Sequence, residues 1–247
     1  MHLKYTLQIA DNALILGHRL SEWCGHGPIL EQDIAITNTA LDLIGQARSL
    51  YQHAATLEGK GRTEDDLAYL RIGTQFRNVL LVEQPKGHFG TTIARQFLFD
   101  AFHYPFYREL VNSKDEMLAA IAEKSLKEVT YHLRSSSEWM IRLGDGTEES
   151  HGKVQEALND LWSFTGELFE VSEADQWAFE NGVGPDLKVV QKFWNEKVDE
   201  ILNIATLKRP GEAWMQSGGK QGRHSEHLGY ILTEMQYLQR TYPGQEW

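Results

Sequence analysis

Cysteine is nearly absent, with Cys24 the one thiol among 247 residues. No disulfide can close within the chain and no cysteine cluster can hold zinc or an iron–sulfur centre, which fits a reducing cytoplasm. Positive charge is short as well: 24 Lys and Arg stand against 35 Asp and Glu, a formal net charge of −11. That balance repels phosphate backbones and argues against nucleic acid as a partner. Apolar runs are short, and none approaches the roughly 20 residues that cross a bilayer. The opening Met1-His2-Leu3-Lys4-Tyr5 lacks a signal-peptide core. A soluble, cytoplasmic protein with no membrane partner is expected. No stretch alternates as a strand would, and no short period repeats.

What is present is a globular composition, 41% hydrophobic and 11% aromatic with only six prolines, enough for one substantial core. Helical periodicity runs through it, so the expected fold is all-α, a bundle with extra C-terminal helices in a single domain over residues 1–247. The first helix is expected over Tyr5–Trp23, with Leu7, Asp11, Leu14 and His18 on one inward face. Pro28 opens a second over Leu30–Leu50; apolar residues on most of its faces predict burial all round. Thr63 starts a helix read as running through Leu67, Leu70, Phe76 and Leu80 to Pro85. A fourth follows from Phe89, with Asp100 turned inward and Pro105 expected to kink or interrupt it. Ser113 to Glu116 reads as a capping box for a long helix over Asp115–Leu143. Val154 to Phe169, a short piece from Ser172, the stretch Val190–Ala205 and Ser225–Gln239 complete the set, with a loop over Lys208–Arg223.

The long helix in the middle carries the most information. Leu118, Ile121, Ala122, Ser125, Val129, His132, Ser136, Trp139 and Leu143 form one inward stripe at spacings of three and four. Bundles that bind two irons project a Glu and a His, three residues apart, from such a face. Here the place three before His132 is Val129, and Glu128 lies about 100° round the helix.

Several passages carry a resemblance that spans essentially the whole chain. They are Ser21-Glu22-Trp23-Cys24-Gly25-His26, Leu41 to Arg48, Leu81-Val82-Glu83-Gln84-Pro85, Lys127 to Arg134, Gly222 to Gly229 and Glu234 to Arg240. Together they resemble the non-catalytic C-type chains of bacterial phenylacetyl-CoA epoxidases, multicomponent oxygenases related to the ferritin-like di-iron proteins. The resemblance implies a ferritin-like four-helix bundle. It also implies a catalytic sister, the A-type chain, that holds the di-iron centre, with further small and reductase subunits, while the present chain holds no cofactor; self-association stays open. Set against the sister's ligand positions, Leu43 and Gln46 replace a Glu and a His on the second helix. Asp100 keeps a carboxylate on the fourth, and on the central helix Val129 replaces a Glu while His132 is kept. Asp11 is the best match for the first-helix carboxylate.

A carboxylate-bridged pair of irons uses about four carboxylates and two imidazoles. Leu43 and Val129 offer no lone pair and Gln46 only a neutral carbonyl, so what remains could hold at most a single ion weakly. A buried carboxylate needs partners, and Asp100, His132 and Gln46 are expected to share a hydrogen-bond network. The implied role is a non-catalytic structural subunit that keeps the catalytic one folded. The rivals are an autonomous di-iron oxygenase and a free-standing acyl-CoA binding protein.

Three other features invite chemistry and have plainer readings. His224 and His227 stand one turn apart, as metal ligands can, yet with no third ligand nearby in sequence, capping or packing is the expectation. Glu83-Gln84-Pro85 reads as a helix stop, and the glycines around Gly218 lack the strand that a phosphate loop follows. Phe97, Phe99, Phe102, Tyr104, Phe106 and Tyr107 are expected to fill a core or an interface more than a substrate pocket.

Overall fold

Start and stop chemistry divides the chain into ten α-helices in the computed structural model, which describes residues 1–245. They are α1 (His2–Ser21), α2 (Leu30–Glu58), α3 (Glu64–Tyr69), α4 (Leu80–Glu83), α5 (Phe89–Leu110), α6 (Glu116–Gly144), α7 (Glu148–Trp162), α8 (Glu173–Glu180), α9 (Leu187–Ile204) and α10 (Glu226–Thr241). No strand occurs among the described residues, so the all-α expectation holds. Side-chain oxygens begin several helices by accepting from otherwise orphaned amides: Thr63 from Asp66, Asp115 from Met117 and Leu118, and Asp186 from Lys188. Gly59, at φ +66°, ends α2 in the left-handed conformation.

The described chain forms two compact units, interleaved in sequence. The first contains Met1–Pro85, Ser172–Trp177 and the chain from Gly218, and the second contains Lys86–Val171 and Ala178–Ser217.

In the first unit α1 and α2 run antiparallel. Gly17 fits against Ala40, Leu43 and Ile44, and further along Asp11 meets Tyr51. The two helices exchange the roles that periodicity gave them. α1, read as one-sided, is buried on nearly every side, including Gln8, Asp11, Asn12 and Arg19. Those polar residues are buried because each has a partner: Asn12 Oδ1 accepts the Val79 amide at 2.8 Å, and Gln8 Nε2 donates to Asp175 at 2.8 Å. α2, read as buried all round, buries one face only. Leu30, Ile34 and Leu41 stay 52–72% exposed along its outer side.

The single helix expected from Thr63 to Pro85 is broken into α3, a 3-10 turn at Gly73–Gln75, and α4. The reason lies in α1, whose side chains Asp11 and Asn12 take the amides of Arg77 and Val79. Those amides are therefore unavailable to a continuous helix.

In the second unit α5 and α6 are also antiparallel, with Phe89 on Trp139 at one end (centroids 5.1 Å apart) and Asp100 bonded to Ser136 further along. α7 and α9 pack against this pair. Trp194 of α9 donates its indole N–H to the Leu98 carbonyl at 2.9 Å and stacks beside Trp162 and Phe169. Helix α5 continues through Pro105 without interruption. The N-cap of α6 is Asp115 and not Ser113; Ser113 Oγ instead donates to the Val183 carbonyl at 2.7 Å. The helix expected to reach Phe169 ends at Trp162, and Gly166–Phe169 forms a 3-10 turn.

Candidate functional site

The inward stripe of α6 forms as its spacing predicts: every member from Leu118 to Ser136 is buried. Trp139 and Leu143, at the far end, are half-buried. Opposite it, α5 is enclosed on nearly all sides, so the polar residues of the two helices meet away from water. Val129 is fully buried and His132 is 2% exposed.

Asp100 is fully buried on α5. Gln96, one turn earlier on the same helix, donates Nε2 to Oδ1 at 2.7 Å, and Ser136 of α6 donates Oγ to Oδ2 at 2.8 Å. The network expected among Asp100, His132 and Gln46 is therefore not the one that forms around this carboxylate. Gln96 and Ser136 take its oxygens, and His132 acts on Asp100 through its charge. Gln46 belongs to the first unit and is 3% exposed. Burial pushes the Asp100 carboxyl up to about 7, against the opposing pull of His132 and of the two hydrogen bonds.

One turn after Asp100, His103 is held down at about 3 by burial, with the nearby His132 charge adding to it. Its ring stands edge-on to Tyr107, centroids 4.3 Å apart. The Tyr107 hydroxyl is pushed above its ordinary range by burial and by Glu128. Neither His103 Nδ1 nor the Tyr107 hydroxyl makes a hydrogen bond among the described residues. A buried neutral imidazole beside a neutral phenol is an apolar arrangement in all but name.

The other carboxylate expected here, Asp11, is fully buried and fully engaged inside the first unit. Both terminal nitrogens of Arg71 donate to it, Tyr51 donates its hydroxyl at 2.6 Å, and the Arg77 amide donates at 2.7 Å. The Arg71 guanidinium lies 4.2 Å from the Phe76 ring centroid. Leu43, on α2, is fully buried.

These donors do not fit a pair of irons. Val129 and Leu43 are aliphatic, Asp100 has both oxygens in hydrogen bonds, and Asp11 is neutralised by Arg71. Among the described residues, Asp100, His103 and His132 do not bring three ligand atoms within 4.8 Å of one another.

The remaining motifs settle into structural roles. Phe97, Phe99, Phe102, Phe106 and Tyr107 are at most 6% exposed and pack edge-to-face and tilted on one another, filling the core of the second unit. Tyr104 is half-buried and borders a groove of about 570 Å³ between α6 and α9. Both ring nitrogens of His224 are taken, by Glu83 and by the Phe76 carbonyl, which leaves no lone pair for a metal. Glu83 does end α4, as expected of a helix stop, but it is also a fully buried hub. Sequence reading missed Arg71, Tyr51, Gln96 and Glu83. The spacing of Gln96 to Asp100 was a usable signal, since polar residues four apart on a helix face one another.

Residues 1–247 match the family model described as phenylacetic acid catabolic protein, a ferritin-like family. The chain is also 51% identical over 243 residues, 98% of each sequence, to the C-type chain of the 1,2-phenylacetyl-CoA epoxidase of Escherichia coli K12. With the whole chain matched and an all-helical fold in place, this protein belongs to the phenylacetic acid catabolic protein family.

Proposed function

We propose that this chain is the non-catalytic structural member of a phenylacetyl-CoA epoxidase complex, binding and stabilising a catalytic di-iron sister that epoxidises the aromatic ring. One observation carries the reading. The buried positions that the resemblance sets against the sister's ligands hold aliphatic Leu43 and Val129, and the surviving Asp100 is committed to Gln96 and Ser136. When present in the sister, the di-iron centre supplies oxygen activation. This chain's residues supply a closed core and a surface.

The outer face of α2 supports the binding half of the proposal. Leu30, Ile34 and Leu41 fall on one line at spacings of four and seven, with Ile29 beside them, each more than half exposed. A helix with two apolar faces, one packed and one bare, suits a chain that completes its burial against a partner. No helix here is long and apolar enough to cross a membrane, and a cytoplasmic complex is the setting proposed.

Co-expression tests this. The catalytic sister should be recovered soluble with this chain and lost to aggregates without it. Full solubility and full turnover of the sister by itself would refute the stabilising role.

A further inference from the structure

His224 follows the positive-φ Gly222 and immediately precedes α10. Its side chain is 6% exposed and lies between two oxygens. Nδ1 is 2.9 Å from Glu83 Oε2, and Nε2 is 3.1 Å from the Phe76 carbonyl. A carboxylate and a carbonyl only accept hydrogen bonds, whereas a neutral imidazole carries one N–H and one lone pair. In the neutral form one ring lone pair would point at an oxygen about 3 Å away. Only the doubly protonated ring satisfies both neighbours as donors.

The proton could instead sit on Glu83, but that carboxylate is surrounded by donors. Asn78 Nδ2 donates to Oε2 at 2.9 Å and the Ser225 amide to Oε1 at 2.7 Å, an environment that favours the ionised form. The charged groups around the ring are few. Glu83 faces it from α4, and Asp11 acts from α1 with its own charge balanced by Arg71. Arg77 donates to the same Phe76 carbonyl at 2.6 Å, and Arg19 of α1 donates to the Glu83 carbonyl at 3.1 and 2.8 Å while pairing with Glu22. Burial opposes the charge on His224, but Glu83, the Phe76 carbonyl and Asp11 outweigh it and hold the imidazolium above the ordinary histidine range.

The same carboxylate that grips His224 also holds the start of α10. Ser225, the N-cap, makes no side-chain cap bond, and Glu83 Oε1 takes its amide instead. We propose that His224 is a structural imidazolium clamped between Glu83 and the Phe76 carbonyl, and that loss of its proton releases the N-terminal turns of α10, making an alkaline-sensitive latch. The sign follows from linkage. A group whose pKa is raised by folding stabilises fully below its unfolded value, near 6.5, and loses that contribution as pH rises through the folded value. Each unit of the raise weakens the latch about tenfold once the proton has left.

The test uses the full chain labelled with ¹⁵N, with the His224 ring nitrogens assigned by their loss in His224→Gln. Both nitrogens should show the protonated pattern at about pH 7 and titrate above roughly 6.5. Amide protection over residues 226–232, corrected for the intrinsic pH dependence of exchange, should fall with the same midpoint while that of α9 does not. Glu83→Gln should lower the midpoint of both by about one unit or more, a tenfold loss of proton affinity; should that variant not fold, the wild-type titration decides. An unprotonated ring nitrogen at neutral pH, or protection in α10 that ignores the His224 titration, would overturn the proposal.

Discussion

Asp11→Asn should be among the most damaging single-atom changes available to this chain. The wild-type carboxylate is fully buried, salt-bridged to an Arg71 that is 3% exposed, and accepts further bonds from Tyr51 and the Arg77 amide. Asparagine keeps the shape but removes the charge and turns an N–H₂ group toward the guanidinium. Leaving one partner of a buried ion pair uncompensated costs about 3–5 kcal/mol. For a chain of this length that corresponds to a fall in Tm of roughly 6–20 °C. Thermal unfolding followed by circular dichroism, with urea unfolding alongside, measures it. The double variant Asp11→Asn/Arg71→Met should lose less than the sum of its parts, because it also removes the stranded cation. A Tm shift for Asp11→Asn no larger than that of a surface substitution, or strict additivity with Arg71→Met, would refute the reasoning that Asp11 serves as the anchor of an internal ion pair.

Three further outcomes are expected. Leu41→Asp should leave the isolated chain's unfolding free energy within about 0.5 kcal/mol, since the side chain is 61% exposed, while reducing co-purification with the catalytic sister; retained co-purification would move the contact elsewhere. Asp100, with its carboxyl held at about 7, contributes stability that is full below the unfolded value near 3.9 and lost as pH rises through the folded one. Asp100→Asn removes that contribution, so the difference in unfolding free energy between about pH 8 and pH 4 should shift toward the alkaline side by up to about 4 kcal/mol. Urea titrations at the two pH values check this, and an unchanged difference would show that the carboxyl ionises freely. Gly222→Ala puts a Cβ 2.3 Å from the Thr74 carbonyl at φ +82°, and a loss of about 1–3 kcal/mol is expected in the same assay.

Helix periodicity made the α6 stripe, the core aromatics and the all-α class legible, because burial in those places follows apolar side chains. It failed where burial follows partners. Gln8, Asp11, Asn12 and Arg19 stand among the apolar residues of α1, and residues far along the chain satisfy them. No local pattern encodes that. The break between α3 and α4 was hidden for the same reason, since its cause is two α1 side chains capturing the Arg77 and Val79 amides. On α2 the error had the opposite sign: Leu30, Ile34 and Leu41 read as core but form a second, bare face. Asp100 and His132 were identifiable as inward polar residues from spacing alone. The groups that bond Asp100 also follow helical spacing, with Gln96 four residues before it and Ser136 four residues after His132. Periodicity places such residues on one face without saying which of them pair.

The most direct test of the central claim is metal analysis of each chain after the complex has been loaded with ferrous iron under anaerobic conditions and its components separated. This chain should carry well under one iron per molecule, with the metal recovered in its catalytic sister. Two irons per molecule of this chain would contradict the account.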